Sequence, residues 1–305
     1  MVLKQIIQNL PEVRKPVEKK LGFNQKLKWT LLVIGFYFVM YNIKLYGLSR
    51  NALERFDFLS TILGTDFGSI ISLGIGPIVT SSIIIQLLVG SGILSLDTKS
   101  SEGKKMFQGI QKIGTFFFIF FEASIFVLMR GLEASPGYQA IVIFQLILGG
   151  LAIMFMDEVV AKWGFGSGVS LFIVAGVALQ LFIGLFQFVG ADGANCLLDF
   201  ENTPCSGRLL VIVQSIINGD PTSALLALAV ILVTALVFVG VVWAQSLKVE
   251  IPLSYDRLRG YGVKWPLQFF YASTLPVILV AALVANLQLF GSLLETWLGH
   301  PTILG

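Results

Sequence analysis

The chain has 305 residues, of which 55% are hydrophobic and only 13% charged; its mean hydropathy is +0.84 and its net charge +3. Soluble domains carry roughly twice that charged fraction, so the composition excludes an ordinary water-soluble globular protein and points to a polytopic membrane protein. In such a protein the placement of charge says more than its sum.

The segment from Met1 to Lys28 holds seven Lys/Arg and is broken by Pro11 and Pro16. It contains no short apolar core beside a small-residue cleavage site, so no cleavable leader is expected before the first span. IIQNLPEV and KKLGFNQKLKW place apolar residues at roughly helical spacing beside lysines. That pattern fits a helix on the cytoplasmic membrane surface, and a solvated basic tail is the competing reading. The first span is expected at Trp29–Tyr46.

Gly47–Phe67 is too polar to cross, with Arg50, Glu54, Arg55, Asp57 and Asp66. Within it FDFLSTILG predicts a short amphipathic helical piece ended by Gly64, either re-entrant or on the outer surface. The following run, Ser69–Leu88, is SIISLGIGPIVTSSIIIQLL, almost wholly apolar but with Gly74, Gly76 and Pro77 near its middle. Pro77 lacks an N–H and restricts Gly76, so a helix entering from Ile70 ends or kinks there. Non-helical backbone at membrane depth needs burial in protein or a watery cavity. The break therefore suggests a pore or substrate pathway, with a Pro-kinked packing helix as the plainer alternative. Gly76–Gly92 completes the second crossing.

A charged loop, DTKSSEGKK, leads to a Phe-rich third span at Gln108–Met129 that carries Glu122 well inside it. A carboxylate at that depth costs about 2.5 kcal/mol or more and normally faces a partner or water. The fourth span is expected at Gln139–Met156, capped by Asp157 and Glu158, which as helical neighbours point to different faces. The fifth is expected at Val169–Phe188 after the turn GFGSG. Gly190–Arg208 holds both cysteines, Cys196 and Cys205; a disulfide and two free thiols are both open there. An amphipathic approach, Arg208–Asn218, leads to a sixth span at Ser223–Ser246. A long loop with Arg257, Arg259 and Lys264 separates it from a seventh at Phe270–Phe290. With the N-terminus inside, sixteen of the 21 Lys/Arg fall on the inner side. This bias puts the 248–264 loop in the cytoplasm and the cysteine loop outside.

The run Ser69–Leu88 resembles the signature of the SecY family, the large subunits of the Sec protein-conducting channel. LKWT (Leu27–Thr30), LLVGSGI (Leu87–Ile93) and FQGIQK (Phe107–Lys112) match the family as well. So do MDEVVAKWGFGSGVSLFI (Met156–Ile173), EIPLS (Glu250–Ser254) and LPVILVAALVANLQ (Leu275–Gln288). The blocks occur in family order over most of the chain, in wording closer to the archaeal and eukaryotic branch than to the bacterial one. The resemblance implies an all-α polytopic membrane protein, with seven spans here of a ten-span channel of two pseudo-symmetric halves. In this reading 1–28 is the cytoplasmic N-terminal segment, 29–188 the first half, 189–222 an external loop and 223–305 an incomplete second half with cytoplasmic loop 248–266. Spans eight to ten have no counterpart, so the chain is expected to be a fragment or one piece of a split channel, with its C-terminus outside.

The resemblance also implies residue roles. A ring of aliphatic side chains closing the pore falls on Ile75, Val79, Val169, Ile173 and Ile278. A plug falls on Asp57, Phe58, Leu59, Ser60, Thr61, Ile62, Leu63 and Gly64. Thr80, Glu122 and Asn286 fall on a polar cluster at a lateral gate, and Arg257, Arg259 and Lys264 on a ribosome-docking loop. The partners implied are SecE-type and small beta-type, SecG-like subunits, the ribosome, signal peptides, nascent membrane-protein segments and the lipid bilayer. The expected location is the cell (plasma) membrane, multi-pass, with a cytoplasmic N-terminus. No cofactor is implied. An enzyme is not expected, since His300 is the only histidine and HExxH, GxSxG and phosphate-loop motifs are absent. The alternatives are a secondary transporter, for which broken helices and an intramembrane carboxylate are also typical, and a non-conducting scaffold.

Overall fold

The structure is a computed structural model. It describes residues 10–17, 21–51, 63–96, 100–190, 195–196, 205–253 and 263–268, and, towards the end, 280, 283–284, 286–288, 290–291 and 294–295. Asp57–Ile62, Arg257, Arg259 and Ile278 lie outside the described residues, as does the side chain of Lys264.

By compactness the chain divides into two units, Met1–Val177 with Ile278–Gly305, and Ala178–Val277. The first unit opens with α1 (Phe23–Asn42), whose buried residues Thr30, Val33, Tyr37 and Met40 recur every three or four positions and so share one face. Its first two turns are polar, which moves the helix several residues ahead of the expected span. Short strands β1 (Leu48–Asn51) and β2 (Leu132–Ala134) pair antiparallel, with Leu48 opposite Ala134 and Asn51 opposite Leu132. Helix α2 (Gly76–Gly90) begins with Pro77 in its first turn, where the missing N–H costs no helical bond.

Helix α3 (Ser101–Leu128) starts inside the charged loop because Ser100 caps it, its hydroxyl accepting from the Gly103 N–H at 3.0 Å. Ser81 donates to the Gln111 carbonyl at 2.8 Å and Gln111 bonds the Ser82 hydroxyl, tying α2 to α3. Helix α4 (Gln139–Trp163) buries Val142, Leu146, Gly149, Gly150 and Ile153 against the core. Helix α5 (Gly168–Phe186) follows after a tight turn, in which Asp157 Oδ1 accepts from the Val169 N–H at 3.0 Å.

Residues 10–17 contain no helix; the rest of the stretch expected as a surface helix or a solvated tail up to residue 9 lies outside the described residues. Residues 10–17 form a strap across the first half of α3, at Lys112, and the end of α4, at Lys162 and Trp163. Lys112 Nζ donates to the Pro11 carbonyl at 2.5 Å, Lys162 Nζ to the Val13 carbonyl at 2.6 Å and Trp163 Nε1 to the Arg14 carbonyl at 2.9 Å. Glu158 bridges the two ammonium groups at 2.9 and 2.7 Å. Backbone carbonyls left free by a non-helical segment need donors, and the two lysines and the indole supply them.

The second unit carries the end of α5, the short helix α6 (Arg208–Ile217) and α7 (Pro221–Ser246), which packs against α6. Cys196 and Cys205 form a disulfide, Cα to Cα 5.4 Å. The residues flanking the disulfide are held to the end of α5, the Cys196 N–H on the Phe188 carbonyl at 2.9 Å and the Gly207 N–H on the Gln187 carbonyl at 3.1 Å. The segment expected as an irregular loop after α7 contains a ribbon: β3 (Lys248–Leu253) pairs antiparallel with β4 (Val263–Gln268), Lys248 opposite Gln268 through Leu253 opposite Val263. These ribbons are the departure from an all-helical chain. Alternating β-branched Val249 and Ile251 suit the pleat, and pairing satisfies backbone groups that a loop would leave to water.

Among the described residues four helices, α3, α4, α5 and α7, are long and apolar enough to cross a membrane, and α2 is a shorter apolar helix. Along α7 only Ala227 is buried. A helix apolar on all sides and exposed on nearly all of them belongs in lipid. The chain is a multi-pass helical membrane protein.

Candidate functional site

The site is built around the run from Leu63 to Ile75, which is not helical beyond its first residue. Many of its backbone groups are bonded within the protein. Ser72, Gly74 and Gly76 N–H groups reach back to the carbonyls of Ser69, Ile71 and Leu73 at 3.1, 2.8 and 3.2 Å. The strand-like segment after α1 supplies the rest, with the Leu45 N–H on the Gly68 carbonyl and the Ile70 N–H on the Ile43 carbonyl, each 2.9 Å. Side chains complete the set. Thr65 bonds the Ile71 carbonyl, the Ser72 hydroxyl accepts from the Gly68 N–H at 2.8 Å and Asn51 Nδ2 donates to the Phe67 carbonyl at 2.7 Å. Gly74 has φ +54°, and a Cβ there would run into the Leu63 carbonyl, so both conformation and space require glycine. The expected entry of a helix from Ile70 is replaced by these successive turns.

Ile75 and Val79 sit at this break and are buried, at 0 and 1% exposure. Val169 and Ile173, in the first turns of α5, are partly buried against the same core. Of the segment expected to plug the pore, Leu63 and Gly64 are described, and both contact this region. The Leu63 carbonyl accepts from the Ile75 N–H at 3.0 Å. Tyr37 Oη donates to the Gly64 carbonyl at 2.8 Å. The Tyr37 ring stacks on Phe172, centroids 5.2 Å apart and planes 20° apart. A Cβ on Gly64 would lie 3.1 Å from the Phe172 carbonyl oxygen. Thus α1 and α5 pin one end of the segment against the break. Tyr37 and Phe172 were missed by sequence reasoning. The available signal was a phenol on the same face as Thr30, Val33 and Met40 in the apolar second half of α1, since a buried hydroxyl demands a partner.

Thr80, Glu122 and Asn286 are brought together from three separate parts of the chain. Asn286 Nδ2 donates to Thr80 Oγ1 at 2.6 Å. Thr80 Oγ1 lies 3.4 Å from Glu122 Oε1 and 2.9 Å from the Gly76 carbonyl. All three side chains are buried, Glu122 at 1% exposure. A Cβ on Gly76 would come 3.1 Å from Glu122 Oε2 and 3.4 Å from Asn286 Oδ1. The helix that starts at the break therefore opens directly beneath this polar cluster. Among the described residues no buried side-chain nitrogen or oxygen lacks a partner, and no group of three or more His, Cys, Asp or Glu is placed to hold a metal. The arrangement offers a buried apolar face at Ile75 and Val79 beside a compact polar contact between helices.

The SecY family model matches residues 69–304, more than half of the chain. The protein translocase subunit SecY of Methanothermobacter thermautotrophicus is 44% identical over 97% of this chain and 64% of its own length. The SecY of Methanocaldococcus jannaschii is 41% identical over 94% of this chain and 61% of its own. Among solved structures, one described as a protein conducting channel aligns with a TM-score of 0.78 at 38% identity, over 96% of this chain and 64% of that one. Sec61 in the canine ribosome–channel complex from the endoplasmic reticulum aligns at 0.77 and 38%, with the same coverage. A SecY whose plug domain is described as stabilising the closed state and maintaining a membrane seal aligns at 0.75. The chain spans about 64% of the length of the relatives it matches. On the family model and these alignments together, the chain belongs to the SecY family.

Proposed function

We propose that the chain is the pore-forming part of a protein-conducting channel, passing unfolded secretory polypeptides across a membrane and releasing transmembrane segments sideways into lipid. The observation that carries this reading is the non-helical break, internally hydrogen-bonded and presenting buried Ile75 and Val79. An apolar constriction dewets and blocks ions, while flexible aliphatic side chains can close around a polypeptide without reading its sequence. A secondary transporter would use polar or charged groups at such a break to bind its substrate; here Ile75 and Val79 are aliphatic, and the neighbouring Thr80, Glu122 and Asn286 are buried against one another.

In this reading Ile75, Val79, Val169, Ile173 and Ile278 form the ring, and Asp57–Gly64 the plug. The contacts of Leu63 and Gly64 with Ile75, Tyr37 and the Phe172 backbone support a seated plug. Thr80, Glu122 and Asn286 hold a lateral gate shut; polar contacts between helices in lipid are worth about 0.6–2 kcal/mol each, few enough for an inserting apolar segment to outcompete. Arg257, Arg259 and Lys264 form a cytoplasmic loop suited to ribosomal RNA, where phosphate contacts dominate affinity. The partners are SecE-type and SecG-like subunits, the ribosome, signal peptides and nascent membrane segments. The host is the plasma membrane, with the N-terminus in the cytoplasm and the disulfide loop outside. The two halves run 29–188 and 223–305, joined by the external loop 189–222. The channel performs no covalent chemistry of its own.

The test is site-specific photo-crosslinking to a stalled secretory polypeptide in channels assembled with the small subunits. A photoreactive residue at Val79 yields an adduct, and one at Phe144, exposed on α4, does not. Adducts of equal yield at both positions, or none at Val79, contradict the pore assignment.

A further inference from the structure

Helix α6 is built inside out. Its sequence, RLLVIVQSII, carries two uncharged polar residues, Gln214 and Ser215, and these are the buried ones. Val213, Ile216 and Ile217 are 50, 68 and 62% exposed. They are spaced i, i+3, i+4 and so form one outward stripe. In water the hydrophobic effect, about 25 cal/mol per Å² of apolar surface, favours the opposite arrangement.

The polar side faces inward for a structural reason. Gln214 Oε1 accepts from the Cys205 N–H at 3.0 Å, tying the helix to the disulfide loop. The Ser215 carbonyl accepts from the Asp220 N–H at 2.9 Å, closing the turn Asn218–Asp220 that leads into α7. The Gln214 side-chain bond holds its face of α6 inward, and the apolar stripe is thereby turned outward.

What lies against that stripe follows from its neighbours. Helix α7 begins after a three-residue turn, packs on α6, and exposes Leu225 and Leu226 at 69 and 67%, so the stripe adjoins the apolar surface of a membrane-spanning helix. Ten residues make about 15 Å of helix, too short to cross a bilayer. Arg208, at the far end of α6, is exposed, and an arginine there reaches a headgroup while its stem stays in apolar surroundings. We infer that α6 is a short lipid anchor, lying at the headgroup–acyl boundary on the disulfide side with Val213, Ile216 and Ile217 in hydrocarbon. It ties the disulfide loop to the membrane surface. This rests on the chain's being a multi-pass membrane protein and is independent of whether it conducts polypeptides.

Nitroxide accessibility tests it. Val213→Cys, Ile216→Cys and Ile217→Cys are labelled singly in the full chain, with Cys196 and Cys205 left bonded, and reconstituted in phosphatidylcholine–phosphatidylglycerol vesicles. Val237→Cys on α7 is the lipid reference and Lys104→Cys the water reference. Oxygen accessibility several-fold above that of a water-soluble nickel complex at the three sites, as at Val237, supports the anchor. Nickel accessibility matching Lys104 overturns it in favour of an aqueous face. Low accessibility to both reagents overturns it in favour of a protein partner or a second copy covering the stripe. All three positions are exposed, so the substitutions remove no core packing, and each variant reads the same face.

Discussion

The amide of Ile75 donates a 3.0 Å hydrogen bond to the carbonyl of Leu63, closing a twelve-residue excursion at the break before α2. Leu63 is 1% exposed and Ile75 wholly buried. The residue next to Leu63 receives the phenol of Tyr37 at 2.8 Å. One end of the proposed plug is thereby fixed by one backbone and one side-chain hydrogen bond, and by stacked rings rather than by charge. A seat of this kind is suited to release, because its polar contacts can be exchanged for water.

Tyr37→Phe removes one of those contacts and leaves the ring stack on Phe172 in place. A net hydrogen bond is worth about 0.5–1.5 kcal/mol, so opening of this segment becomes roughly two- to tenfold more frequent. The measurement is maleimide alkylation of Leu63→Cys in vesicles, with and without Tyr37→Phe; the native cysteines are bonded and do not react. Equal rates in the two backgrounds contradict the anchoring role of Tyr37.

Thr80 and Asn286 are 206 residues apart in sequence and 2.6 Å apart in space. A double-mutant cycle with Thr80→Val and Asn286→Leu, read by unfolding in bicelles, gives a coupling of about 0.6–1.7 kcal/mol. Strict additivity shows that the contact contributes nothing to holding these segments together.

At Gly149 in α4 a Cβ would collide with the Ile70 carbonyl, while at Gly184 in α5 it would meet open space. Gly149→Ala forces backbone apart and costs about 1–3 kcal/mol as overpacking does, lowering the thermal midpoint by several degrees. Gly184→Ala leaves the midpoint unchanged. Equal midpoints for the two variants contradict the close approach of α4 to the turns before α2.

Asp220 caps α7, its carboxylate accepting from the hydroxyls of Thr222 and Ser223, both at 2.7 Å, and from the Thr222 N–H at 3.3 Å. The bonds from Thr222 and then Ser223 hold its pKa below the ordinary aspartate value. A lowered folded pKa means the cap contributes fully above the unfolded value and is lost as pH falls through the folded one. Amide protection in the first turn of α7 therefore declines below about pH 4, and Asp220→Asn flattens that dependence. A pH-independent protection in the native protein contradicts the cap.

The helices were legible because apolar runs of span length leave few alternatives: α5 and α7 begin and end within two residues of the expected spans. The polar cluster was legible only through family wording, because Thr80, Glu122 and Asn286 share no local pattern, and their meeting depends on how three separate segments pack. The strap at Pro11–Arg14 was not legible. Its donors, Lys112, Lys162 and Trp163, are about 100 and 150 residues away, and a basic segment with two prolines reads as a tail until those contacts are seen. The ribbon β3–β4 was hidden for a related reason: Pro252 and Pro266 argue against strands locally, yet both lie within the paired register, opposite Lys264 and Glu250.

The most direct test of the channel reading is single-channel recording in planar bilayers, comparing the intact chain with one lacking Asp57–Gly64, each alone and with the small partner subunits. The account predicts a tight seal for the intact chain and large conductance once the plug is removed, abolished again by nothing except an occupying polypeptide. Silent bilayers from the deletion variant with its partners, in protein verified as folded by its intact disulfide and helical signal, would contradict the claim that Ile75 and Val79 line a pore that Leu63 and its neighbours close.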